Sequence, residues 1–179
     1  MRWSEAGFSI IEVILVVTII GIATMIAVAS YRTMVPQGRL RDATTELNST
    51  FNVARIMAMS QNATITITLN GSSSSIAGTA VTVTGSYASP IQIVTTRTIG
   101  GVATTVSTTP LNGEVTQLVM NPGIGVPLKA SVMFNSRGMR VGGGAGNQLA
   151  TLTNTLGRVY SVAVAPSGKA KWCLTSSCS

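Results

Sequence analysis

Apolar residues follow three successive patterns along the chain. From Phe8 to Tyr31 (FSIIEVILVVTIIGIATMIAVASY) they are nearly continuous, interrupted by one charge, Glu12; Val13 to Tyr31 is 19 residues without any charge. About 20 apolar residues at 1.5 Å rise cross a bilayer core, so this run predicts a transmembrane helix. A plain secretory signal fits poorly: its apolar region would be shorter, and no small-x-small cleavage site closes the run at Val28 to Met34. Further on, Leu40, Ala43, Leu47, Phe51, Ala54 and Ala58 recur every three or four residues, with Arg41, Asn48, Asn52 and Arg55 largely off that stripe. This spacing predicts an amphipathic helix with one buried face. From Ala63 the period falls to 2: Ile65, Ile67 and Leu69 alternate with Thr64, Thr66 and Thr68, Val81 and Val83 alternate with threonines, and Ile91 and Ile93 flank Gln92. Further strands are expected at Glu114 to Met120, Ser131 to Phe134, Leu149 to Thr153, Arg158 to Ala165 and Lys169 to Cys173. Asn70-Gly71, Asn112-Gly113, Asn121-Pro122-Gly123, Ser136 to Gly138 and Pro166-Ser167-Gly168 separate them as turns.

These patterns predict an α+β protein: a long N-terminal helix, transmembrane in its first half and amphipathic in its second, packed on a mostly antiparallel β-sheet domain. The expected segments are 1–7, short and polar apart from Trp3; 8–35, the transmembrane half of the helix; 36–62, the amphipathic half; and 63–179, the β-rich domain. The sheet needs the helix face, because a sheet with one uncovered face leaves its apolar residues wet. Gly71 to Ser75 and Gly142 to Gly146 read by composition as flexible loops.

Composition narrows the function classes. Hydrophobic residues make up 45% and charged residues 9%, with mean hydropathy +0.43; ordinary soluble domains carry roughly 25% charge. There is no histidine, and the five acids are Glu5, Glu12, Asp42, Glu46 and Glu114. Ser-His-Asp and Cys-His nucleophilic sites, histidine zinc sites and rich carboxylate cages are thereby removed, so an enzyme is not expected. The glycine run lacks the G-x-x-x-x-G-K-[ST] pattern of a phosphate loop, and no cofactor is expected. Sequons at Asn48, Asn62 and Asn70 are chance matches in a chain this rich in serine and threonine. Cys173 and Cys178 can pair in an exported chain and would stay reduced in a cytosolic one.

A carboxylate near one end of an apolar span is costly unless something compensates it. Here Gly7-Phe8-Ser9-Ile10-Ile11-Glu12 resembles the processing site of type IV prepilins and pseudopilins. The resemblance implies that prepilin peptidase cuts after Gly7, that Phe8 becomes the methylated N-terminus, and that Glu12 compensates the terminal amine of a neighbouring subunit during assembly. A buried acid and a buried ammonium are each costly alone and tolerable as a pair. Arg39-Leu40-Arg41-Asp42-Ala43, Glu46-Leu47, Ala54-Arg55 and Ala58 resemble the first periplasmic helix of FimT/GspH-type minor pilins and pseudopilins. Phe134-Asn135-Ser136-Arg137-Gly138 and Gly157-Arg158-Val159 resemble their C-terminal half; the resemblance covers most of the chain and is weakest from Gly71 to Pro110. It implies a pilin-like fold, insertion in the bacterial inner membrane with a periplasmic C-terminal domain, an inner-membrane assembly platform, and other pilins as partners through the N-terminal helix. In that compartment Cys173 and Cys178 are expected to be disulfide-bonded. Many family members carry a proline where this chain has Ala29; here the nearest breakers are Pro36 and Gly38, so a kink is expected later.

Charge is uneven. The chain carries 12 Lys/Arg against 5 Asp/Glu, a net +7. From Arg97 onward stand seven bases (Arg97, Lys129, Arg137, Arg140, Arg158, Lys169, Lys171) and one acid, Glu114. Some FimT-type minor pilins bind DNA through a C-terminal Gly-Arg-x-Arg, and Gly168-Lys169-Ala170-Lys171 resembles it. Arg137, Arg140, Arg158, Lys169 and Lys171 are therefore candidate DNA contacts, in a strand where Lys169 and Lys171 share one face and Ala170 and Trp172 the other. The competing reading is that the lysines guard a sheet edge against aggregation. Four functions stay open: a minor pilin at or near a filament tip, the same subunit capturing DNA for uptake, a type II secretion pseudopilin, and a major pilin.

Overall fold

The computed structural model describes residues 9–176 and 178; the peptidase site Gly7-Phe8 and the segment before it lie outside them. Helix α1 runs Ile10–Ser60 and contains Pro36. The chain divides into two compact units, one up to Val35 and one from Pro36 onward.

In the first unit the described apolar side chains of α1 are exposed. Ile10, Ile11, Val13, Ile14, Leu15, Ile19, Ile20, Ile22 and Met25 are all more than half exposed. This is the one helix among the described residues long and apolar enough to cross a membrane. Its hydroxyls do not spoil it as a span: Thr18 donates to the Leu15 carbonyl at 2.8 Å and Thr24 to that of Gly21 at 2.9 Å, so each is satisfied within the helix.

The second unit contains the rest of α1 and all the strands. Leu40, Ala43, Leu47, Phe51, Ala54 and Ala58, the stripe read from the sequence, are 0–1% exposed. Thr44 lies on the same buried face because its hydroxyl donates to the Leu40 carbonyl at 2.7 Å. Beyond Ser60 the chain turns at Asn62, whose φ of 46° is a left-handed conformation that asparagine tolerates. The Ala63 amide then turns back to the Ala58 carbonyl at 3.1 Å, satisfying one of the last free carbonyls.

Two antiparallel sheets follow. β1 (Thr64–Asn70), β4 (Gln92–Ile99), β5 (Val102–Pro110), β7 (Ser131–Phe134) and β8 (Arg140–Val141) form one, in the order β5-β4-β1-β7-β8. β2 (Ser73–Ala77), β3 (Ala80–Thr84), β6 (Val115–Asn121), β9 (Gln148–Asn154), β10 (Val159–Val164) and β11 (Ala170–Cys173) form the other, in the order β11-β10-β9-β6-β3-β2. The helix stripe joins Ile65, Ile67, Ile93, Val132 and Phe134 of the first sheet and Val81, Val83, Leu118, Met120, Leu152 and Val162 of the second in one core.

Two expectations are corrected. Gly71 to Ser75, read as a flexible loop, contributes Ser73–Ser75 to β2, which pairs with β3 from Ser73↔Thr84 to Ala77↔Ala80. All five β2 residues are exposed, so burial imprinted no alternation on them; backbone pairing alone makes the strand. Gly142 to Gly146 is not a free loop either, because its carbonyls hold a buried arginine, described below. The expected strands also omitted β5. Its nine residues are exposed on both faces, and the signal for it is the turn: Gly100 (φ 58°) and Gly101 (φ 84°) join β4 to β5 as a two-residue hairpin that requires positive φ at both positions.

Phe51→Ala is expected to lower the unfolding free energy by about 3–5 kcal/mol, since the core cannot collapse onto the gap. Val53→Ala, two residues away and 53% exposed, is expected to stay within about 0.5 kcal/mol. Urea unfolding followed by far-ultraviolet circular dichroism checks both; equal effects would contradict the burial pattern.

Candidate functional site

Glu12 lies in the first described turn of α1, its amide donating to the Ser9 carbonyl at 3.0 Å. It is exposed, as are its neighbours Ile10, Ile11 and Val13. A lone carboxylate among uncovered apolar side chains leaves the helix able to accept both hydrophobic packing and one positive charge from another molecule.

The second unit sorts the basic residues into three environments. Arg140 is 7% exposed. Its Nη1 donates to the Gly142 carbonyl at 2.9 Å, and its Nη2 to those of Gly144 and Gly146 at 3.0 and 2.5 Å. Desolvation by burial lowers its pKa from the ordinary arginine value. The glycine loop is thus wrapped around a guanidinium, and Arg140 is a structural hub rather than a surface contact. Gln148, fully buried, extends the hub by donating to the Pro122 and Ser131 carbonyls at 2.7 and 2.8 Å.

Arg137 and Lys169, by contrast, are exposed, and the turns that carry them touch. The Arg140 amide donates to the Pro166 carbonyl at 3.1 Å, stitching the turn before β8 to the turn before β11. Gly168 (φ 80°) lies so close that a Cβ there would stand 1.9 Å from the Gly138 carbonyl oxygen, so this contact requires glycine. Arg55 of α1 reaches the same place, its Nε donating to Gly138 O at 3.0 Å. Lys171 follows on β11, exposed, while Ala170 and Trp172 pack against the core. Arg41 stands over the Trp172 ring, 5.6 Å from its centroid, a cation–π geometry. Arg55 and Arg41 were not among the expected contacts; the sequence placed them off the helix stripe, and only the packing of α1 beside these turns and β11 reveals what they flank.

Arg158 belongs elsewhere. It precedes β10, while the Pro166–Gly168 turn follows it, and six residues of strand separate the two by about 20 Å. Its amide donates to Asn154 Oδ1 at 2.9 Å, and Asn154 Nδ2 reaches the Pro36 carbonyl at 3.4 Å. Nearby, Glu114 is 3% exposed and accepts hydrogen bonds from the Tyr87 hydroxyl and, at 2.5 Å, from Thr155 Oγ1. Arg39 Nη1 donates to the same Tyr87 hydroxyl at 2.9 Å. The one acid of the C-terminal half is therefore taken out of the surface field, which leaves that field positive.

Cys173 and Cys178 form a disulfide with Cα atoms 5.8 Å apart. Among the described residues no group of three or more His, Cys, Asp or Glu side chains could hold a metal ion.

The model of the family described as type II transport protein GspH matches residues 43–168, well over half of the chain. Among solved structures the chain is similar to the type IV minor pilin FimU of Pseudomonas aeruginosa strain PAO1 in two crystal forms. The P21 form is 16% identical, over 78% of this chain and 90% of that one, with a TM-score of 0.47. The P65 form is 13% identical, over 74% and 91%, with a TM-score of 0.46. No curated protein matches the sequence. The long helix followed by antiparallel sheets is the pilin fold, and the family match carries with it assembly alongside other pilin subunits. The chain belongs to the GspH family and is a pilin-like structural subunit of the minor pilin or pseudopilin kind.

Proposed function

We propose that this chain is made as a prepilin, cleaved by prepilin peptidase after Gly7 and methylated on Phe8. It is held by α1 in the bacterial inner membrane with its C-terminal domain in the periplasm. The inner-membrane assembly platform then draws it into a pilus or pseudopilus, at or near the tip. The observation that carries this reading is the exposed apolar stretch from Ser9 to Tyr31, with Glu12 as its one charge. Such a surface is stable in lipid or against other apolar helices, and the carboxylate sits four residues beyond the expected new N-terminus, where a neighbour's ammonium can neutralise it.

Mass spectrometry of chain recovered from membranes is expected to show loss of residues 1–7 and gain of one methyl group on Phe8. Glu12→Ala is expected to leave cleavage intact and to remove the chain from sheared filaments. An unpaired ammonium in the assembled core costs about 3–5 kcal/mol. Filaments containing uncleaved chain, or Glu12→Ala chain at normal levels, would sink the reading. The type II secretion and pilus versions share this chemistry and separate by phenotype, secretion of folded enzymes against piliation.

One observation favours a second role, capture of DNA during uptake. The turns that carry Arg137 and Lys169 meet at Arg55, and Lys171 follows along β11, a grouping of bases that favours contact with a phosphate backbone. Lys169→Ala/Lys171→Ala is expected to weaken binding to double-stranded DNA and to lower the slope of log affinity against log salt by about 1.8, from about 0.9 per phosphate contact. Arg158→Ala is expected to change neither. Binding unaltered by the double substitution would leave the charge as a guarded sheet edge.

A further inference from the structure

The two sheets end in four edge strands among the described residues, and these differ in what they offer a further strand. β8 is two residues long. β11 follows Lys169, carries Lys171 and ends in the Cys173–Cys178 disulfide. β2 has five residues. β5 has nine, Val102–Pro110, every one exposed and none charged. Edges of this length are normally guarded by charge, proline or a bulge that twists the strand away. The proline here is the last residue only.

The bulge has a different consequence. Ser107 pairs with Thr95 and Thr105 with Thr96, so Val106 is the inserted residue. An inserted residue re-aims a side chain, and Val106 joins Ser107 and Thr109 in lining a groove of about 280 Å³ whose other wall is Val53, Ala54 and Met57 of α1. Val53 and Val106 are 53% and 46% exposed. A strand added to β5 would lie about 4.8 Å beyond it, covering both valines while its backbone met the free N–H and C=O groups of the edge.

Glu46 is the one charged residue lining the groove, and it stands at one end of the helix wall. The lining stretch of helix from Glu46 to Met57 spans about 17 Å, the length of about five extended residues.

The geometry points to β5 and this groove as the docking site for an extended segment of a different pilin-type subunit, paired to β5 by its backbone. The segment is uncharged and β-branched in its middle and basic where it meets Glu46. β5 of a second copy does not meet that description, since it contains no base to face the carboxylate. The inference rests on the filament-subunit reading above.

The test uses the full-length chain in host membranes, with photoreactive benzoylphenylalanine in place of Thr105 or, separately, Thr108. The expected product is an adduct whose cross-link maps to an extended segment, uncharged in its middle and basic at one end, of another chain bearing its own N-terminal apolar helix. Ser107→Lys, which adds a charge beside Val106 without touching the core, is expected to cut the adduct by more than about tenfold. Glu46→Lys is expected to cut it too, and a base-to-acid change in the mapped segment to restore it. Circular dichroism confirms that both variants remain folded. Adducts only with a second copy, only with lipid, or none at all from chain recovered in filaments would overturn the inference and leave the filament reading standing. Absence of the chain from filaments would count against that reading itself.

Discussion

The globular unit depends on the burial of one helical stripe. Leu40, Ala43, Leu47, Phe51, Ala54 and Ala58 are the positions at which α1 enters a core shared by both sheets. A side chain such as Phe51 or Leu47 contributes roughly 1.5–3 kcal/mol by leaving water. Among the described residues no second helix could supply what this stripe supplies. The alternation along β1, where Ile65, Ile67 and Leu69 are buried and the threonines between them are half exposed, has meaning only because a helix face lies there to receive it. The same dependence explains why small residues recur at positions 43, 54 and 58: alanine lets the helix approach the strands closely where two bulky layers already meet.

Burial also edits the electrostatics. Composition alone makes the region from Arg97 onward strongly positive, but it does not say which charges act outward. The fold withdraws one of each sign. Glu114 is held by Tyr87 and Thr155, and Arg140 by three glycine carbonyls. The buried arginine orders the loop it sits in, since removing the guanidinium would leave several carbonyls without their donor, each charged hydrogen bond contributing about 1.5–3 kcal/mol. Of the other expected contacts, Arg158 lies at one end of the second sheet and Lys169 and Lys171 at the other, where the β7–β8 turn that carries Arg137 touches it. The five expected contacts are therefore not one patch.

Much of the fold was legible because burial writes a period into sequence. β1, β3, β6, β7, β9, β10 and β11 each carry inward-facing apolar residues, and the helix stripe is visible residue by residue. The strands that escaped are those with nothing inward to write. β2 and β5 are exposed throughout, and β8 is too short for any period. Their pairing is carried by the backbone, which every sequence supplies equally. The site follows the same rule: Glu12 is visible as a charge in an apolar run, whereas the meeting of Arg55 and Gly168 at the Gly138 carbonyl is a long-range contact with no local signature.

Two stretches, one hidden in the sequence and one plain in it, have chemistry that is incomplete within one chain. β5 presents nine residues of backbone without a partner on its outer side, and the first unit presents a run of isoleucines and valines without cover. In a free soluble monomer both would be liabilities, since exposed uncharged edges and apolar patches promote association. In a subunit whose family works by assembly they are the surfaces on which association is selected. The two differ in what they can discriminate. An apolar helix packs against any similar helix, with Glu12 adding one charge test. An edge strand beside a polarised groove reads length, side-chain volume and the position of a base. Among the described residues of the globular unit, β5 is the edge strand with free hydrogen-bonding capacity long enough to add that discrimination.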